Sequence, residues 1–176
     1  MTFRITGTIP QLLRQNYPPV LTTSRGDCYT KGMKVRHVDH IGINVNDLAP
    51  AKAFFTDLGF TIAGEASMQG ELLDKVIGLK NAKTEFVTLQ APDGQLSVEI
   101  IKYLEPVDPK GIQVSAANIL GLRHLAFEVD DVEEIVAFLK QKGHELVGEM
   151  QTYEHMWKLC YIRGPEGIIV ELAEHL

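Results

Sequence analysis

His40-Ile-Gly-Ile-Asn-Val-Asn-Asp47 and, 84 residues on, His124-Leu-Ala-Phe-Glu-Val-Asp-Asp131 decide how this chain folds. In the first octet Ile41, Ile43 and Val45 alternate against His40, the pattern of a half-buried strand. Asp47 and Asp131 then suit helix caps, because a carboxylate can accept a first-turn N–H that lacks a partner within the helix. The same offset runs on without a gap. It matches Ala53 to Ala137, Phe54 to Phe138, Gly59 to Gly143, Gly64 to Gly148 and Glu65 to Glu149. Further along, Pro92-Asp93-Gly94 with Val98-Glu99-Ile100 parallels Pro165-Glu166-Gly167 with Val170-Glu171-Leu172, at an offset of 73 falling to 72. The first copy therefore holds extra residues between Glu65 and Pro92. Repetition at this scale signals duplicated supersecondary units that share a core.

Each copy has the order β-α-β-β-β. Leu48, Ala51, Phe54, Phe55 and Leu58 follow helical spacing, and Gly59 suits a left-handed stop. In the second copy Glu133 and Glu134 fall in the first turn. Val132, Ile135, Val136 and Leu139 form the apolar stripe, and Lys140, Lys142 and Gly143 close the helix. Strands are expected at 60–65, 84–90 and 95–103, and at 144–152, 157–163 and 168–174. Tight turns join the last two strands of each copy. The inserted Gly70–Lys80 reads as a surface loop. The alternative is a short helix packing Leu72, Leu73, Val76 and Leu79. The fold class is α+β: two tandem modules, about 36–106 and 119–176, within a domain spanning 35–176.

The composition is globular, with 45% apolar and 23% charged residues. No run of about 18 apolar residues offers a membrane span. Cys28 and Cys160 match no disulfide framework or zinc spacing, so a reducing, cytoplasmic location is expected. The net charge of −6 divides unevenly: residues 1–34 carry +4 and the remainder −10. An acidic body disfavours nucleic acid as a partner. Residues 1–34 form an N-terminal extension with Pro10, Pro18 and Pro19. It resembles a transit peptide in its arginines and hydroxyls, but the paired prolines break any long helix. A surface-draped extension, or residues upstream of a functional start at Met33, is the expectation.

His40 and His124 occupy the first strand of each module, and Glu99 and Glu171 the last. Alternation sets all four opposite bulky aliphatics, so they face one interior if the apolar faces meet the helices. Two neutral imidazoles and two carboxylates suit one divalent metal: Ni, Co, Zn, Mn or Fe. Open positions would remain for water or substrate, as catalysis requires. The other side chains are read as structural. Trp157, Met150 and Met156 are expected in the core, His37 and His175 in solvent. Arg123 is expected on the face opposite His124, in an ion pair.

The doubled unit opens with Val38-Asp-His40-Ile-Gly-Ile and Leu122-Arg-His124-Leu-Ala-Phe. It closes with Ser97-Val-Glu99-Ile and Ile169-Val-Glu171-Leu. On these residues the chain resembles the vicinal oxygen chelate superfamily, which includes glyoxalase I, methylmalonyl-CoA epimerase, extradiol dioxygenases and fosfomycin- or bleomycin-resistance proteins. The resemblance covers about 36–176. It implies curved mixed sheets forming a cup around a metal held by His40, Glu99, His124 and Glu171. It also implies a small-molecule substrate that chelates through oxygen.

The ligand set is closest to glyoxalase I, a lyase in which a glutamate, here Glu171 or Glu99, would move a proton next to the chelated carbonyl. Asn44 and Tyr103 stand where bacterial glyoxalase I usually has an Arg and an Asn, which leaves another small thiol or a different oxyacid open as carrier. Methylmalonyl-CoA epimerase is the runner-up, with Glu71 as a candidate second base. An Fe(II) extradiol dioxygenase would use His40, His124 and Glu171, with Tyr161 as acid–base. A non-catalytic binder usually lacks the metal set. The modules could close the cup within one chain or across a homodimer.

Overall fold

Two aspartates set the helices that organise each module. In the computed structural model, which describes residues 35, 37–113 and 116–176, Asp47 accepts the N–H of Ala49 at 3.0 Å and opens α1, Leu48–Asp57. Asp131 accepts the N–H of Glu134 at 2.9 Å and opens α3, Val132–Gln141. Gly59 and Gly143 follow these helices at φ of +91°, a conformation that a Cβ disfavours. Residues 1–34, with the expectations placed on them, lie outside the described residues.

The first module contains β1 (His40–Asn44), β2 (Thr61–Gln69), β3 (Lys83–Gln90) and β4 (Ser97–Glu105). They form a sheet of order β1-β4-β3-β2, with β1 parallel to β4 and the other pairs antiparallel. The second module contains β5 (Leu125–Glu128), β6 (Glu145–Leu146), β7 (Gln151–Tyr153), β8 (Trp157–Arg163) and β9 (Ile169–His175). Its order is β5-β9-β8-β6, with β7 also pairing β8. The registers repeat as the sequences do. Gly42 sits opposite Glu99, and Ala126 opposite Glu171. This is the α+β arrangement of two mixed, open sheets expected from the repeat.

Three details differ from the sequence reading. The strand expected over 144–152 is divided into β6 and β7, with Gly148 in the break. The insertion is a helix, α2 (Glu71–Ile77), rather than a loop. Asp74 fixes it by accepting the N–H groups of Asn81 and Ala82, both at 2.8 Å. Of its apolar residues Leu73 is buried, whereas Leu72 and Val76 are exposed. Met156, expected in the core, is exposed at a turn.

One core serves both modules. Phe54, Phe55, Leu89, Val98 and Ile100 of module one cluster with Val132, Leu139, Ile162, Val170 and Leu172 of module two. Each such side chain stabilises the fold by about 1.5–3 kcal/mol relative to exposure. These residues lie on the helix-facing side of each sheet. The opposite sides carry the four candidate ligands.

Candidate metal centre

In module two the helix-facing side of the sheet is Leu125, Phe127, Val170, Leu172, Cys160 and Ile162. Alternation then sends Glu171 and Tyr161, which are opposed in the β8–β9 register, to the other side. His124 immediately precedes β5 and reaches the same place. Its Nε2 lies 3.2 Å from Oε2 of Glu171, and the side chains are 37% and 21% exposed. The Tyr161 hydroxyl is 3.5 Å from the same Nε2, and the two rings lie 4.8 Å apart between centroids, tilted by 38°. Burial pushes the Tyr161 phenol above its ordinary value, and the Glu171 charge and a hydrogen bond to Glu171 add to the shift. Tyr161 thus keeps its proton beside the His124–Glu171 pair.

Module one repeats the arrangement more openly. His40, Gly42 and Glu99 share the outer face of the β1–β4 pair. Nδ1 of His40 is 2.8 Å from Oδ2 of Asp39. A carboxylate so placed accepts a hydrogen bond from Nδ1–H and leaves the lone pair of Nε2 for a metal. Asp39 was not singled out in the sequence; an acid directly preceding a candidate ligand was the available signal.

The structure therefore brings His124 and Glu171 together and sets His40 and Glu99 on a second, separate sheet. Among the described residues of one chain no three His, Cys, Asp or Glu side chains gather as a metal site. The donor chemistry of each pair fits half of a divalent centre. Glu71 is elsewhere: exposed on α2 and ion-paired with Lys75 at 2.6 Å. His37 and His175 are exposed, as expected. Trp157 is half-buried, its ring edge-on to His175. Arg123 departs from expectation. It forms no ion pair among the described residues, and its buried Nε has no hydrogen-bond partner.

No helix among the described residues is long and apolar enough to cross a membrane. The model of the Glyoxalase/Bleomycin resistance protein/Dioxygenase superfamily matches residues 37–172. The uncharacterized protein YaeR of Escherichia coli K12 is 31% identical over 144 residues, covering 80% of this chain and 97% of that protein. A solved glyoxalase family protein from Bacillus cereus is 36% identical with a TM-score of 0.80, covering 84% of this chain and 99% of that one. The trypanothione-dependent glyoxalase I of Leishmania major shares the fold at a TM-score of 0.55 and 20% identity, over 80% and 87% of the two chains. With its doubled module, its repeated strand register and a family match that spans both halves, the chain belongs to the glyoxalase/bleomycin resistance protein/dioxygenase superfamily.

Proposed function

We propose that this protein is a metal-dependent, glyoxalase-like lyase or isomerase that moves a proton next to the carbonyl of a small oxyacid or thiol adduct. The observation that carries the reading is the repeated His/Glu pair in one register: Gly42 opposite Glu99 with His40 on the same face, and Ala126 opposite Glu171 with His124 within 3.2 Å of it. His40, Glu99, His124 and Glu171 would hold one divalent cation: Ni, Co, Zn, Mn or Fe. When bound, that cation supplies Lewis acidity toward a chelated carbonyl and stabilises developing negative charge.

The chain's own residues do the rest. One glutamate, Glu171 or Glu99, takes the proton from the carbon next to the carbonyl and returns it to the neighbouring carbon. No oxidant or reductant is consumed. Tyr161 orients Glu171, and Asp39 orients His40. Because one chain keeps the two pairs on separate sheets, the reading has the quartet completed between two copies. The pair His40 and Glu99 of one would face His124 and Glu171 of the other.

A second reading, an Fe(II) extradiol dioxygenase, is favoured by one observation: the Tyr161 hydroxyl lies against both His124 and Glu171. Metal analysis of untagged protein tests both readings. A reconstituted activity panel of methylglyoxal with several thiols, methylmalonyl-CoA, catechols with Fe(II), and fosfomycin separates them. Glu171→Gln should lower both metal content and turnover. Unchanged metal and unchanged activity in that variant would overturn the proposal.

A further inference from the structure

A cleft of about 330 Å³ lies between the facing edges of β1 and β5, lined by Ile41–Asn44, Leu122–Leu125 and the Glu166 turn. A second cleft of about 650 Å³ shares Asn44, Arg123 and Glu166 with it and extends past Tyr103 to Pro106. Arg123 stands where the two join. The residue is half-buried, and its Nε is fully buried and unpartnered. An arginine cannot relieve this by losing its proton, as a lysine or histidine can.

The acids on adjoining segments are already engaged. Glu166 accepts N–H groups from the Asn46 backbone, the Asn46 side chain and the Asp47 backbone, at 2.7, 3.2 and 2.8 Å. Asp39 holds His40. The repeat sharpens the point, because Arg123 is the module-two counterpart of Asp39. An acid that orients a histidine in one module is replaced by an unbalanced cation in the other.

A partly desolvated charge without a partner calls for a counter-ion. The planar fork of a guanidinium matches a carboxylate through two parallel hydrogen bonds. The remaining walls are mixed: Ile41, Ile43, Leu122 and Leu125 supply apolar surface, and Asn44, Gln113, His124 and Glu166 polar surface. Beside the guanidinium, the four aliphatic side chains give a short carbon skeleton a surface to pack on, which an inorganic anion cannot use. We propose that Arg123 anchors the carboxylate of a small organic acid in this groove, one residue from His124. The assignment deepens the metal-centre reading, on which it rests for treating the bound acid as substrate.

The test is calorimetric titration of the full chain with malonate after chelator treatment, so that a bound metal contributes nothing. Wild type and Lys80→Gln, which removes one exposed charge elsewhere, should bind alike. Arg123→Gln should weaken binding about tenfold or more, as loss of charge-assisted hydrogen bonds does. Arg123→Lys, which keeps the charge without the fork, should fall between. Neutral malonamide should not compete.

Several results would overturn the proposal. They are equal malonate affinity in wild type and Arg123→Gln, equal binding of malonamide, tighter binding of inorganic phosphate than of malonate, or no malonate binding with self-association that Arg123→Gln abolishes. Metal content separates the two ideas. Protein that binds malonate through Arg123 but holds no metal overturns the metal centre alone. Protein that holds metal and ignores malonate overturns this inference alone.

Discussion

Glu166 of module two receives the start of helix α1 in module one: its Oε1 accepts the Asp47 N–H at 2.8 Å and its Oε2 the Asn46 N–H at 2.7 Å. Glu166 does this from a left-handed backbone conformation, φ +53°, which is uncommon for a residue with a Cβ. The contact joins modules more than a hundred residues apart in sequence. Glu166→Ala should destabilise the protein by about 1 kcal/mol, since water can replace part of what the N–H groups lose. Glu166→Gln keeps one acceptor oxygen and should lose less. Urea unfolding checks the order, and equal midpoints for all three proteins would refute it.

Gly164 is required for a different reason. A Cβ built there would meet the Phe54 ring at 2.8–3.0 Å. Phe54 is fully buried, with Phe55 and His144 edge-on at 5.5 and 4.8 Å, so its ring has no room to retreat. Gly164→Ala should destabilise by about 1–3 kcal/mol through overpacking. Phe54→Leu frees space at the same spot, so the double variant should be less destabilised than the sum of the single ones. Additive losses would show that the clash is relieved elsewhere.

Cys160 gives a dependence on pH. It is buried, and desolvation pushes its thiol above the ordinary value of 9.0; nearby Lys140 opposes the shift and Glu171 adds to it. The folded chain thus holds the thiol proton more tightly than the unfolded chain does. The associated stability is fully present below pH 9 and is lost as pH rises through and beyond that value. In a Cys28→Ser background, Cys160 should be inert to a thiol reagent at pH 8 until the protein unfolds. Adding Cys160→Ala should flatten the alkaline fall in stability. Rapid labelling of native protein would contradict the burial.

What the sequence revealed and what it hid divide along a physical line. The strands, both helix caps at Asp47 and Asp131 and the two pairs of candidate ligands are local patterns, and the repeat displayed each of them twice. The contacts between modules are not local. Nothing near Gly164 announces Phe54, and Glu166 reads only as a turn until Asn46 and Asp47 meet it. Phe138 matches Phe54 in the repeat but is 39% exposed, with Lys142 over its ring. Equivalence in sequence therefore did not carry equivalence in burial. Helix α2 stood only as the alternative to a loop, and Leu72 and Val76 do not pack; Asp74, a half-buried polar residue, holds it instead. Arg123 was read from strand alternation, which sets a direction but cannot supply a partner.

The separation of the two His/Glu pairs leads to the most discriminating prediction. If two copies complete each centre around a two-fold axis, a homodimer holds two equivalent sites. His40→Ala or His124→Ala alone then removes one ligand from both sites and should abolish tight metal binding. In a mixed dimer of the two variants one site lacks both histidines, while the other keeps all four ligands. Random exchange makes half the dimers mixed, so mixing should restore about one quarter of the wild-type sites. Centres closed within single chains could never be restored by mixing, because every chain carries a lesion. Metal content and turnover after subunit exchange read the difference, with differently tagged copies showing that exchange took place. Mixed dimers that form and yet recover neither metal nor activity would sink the shared centre.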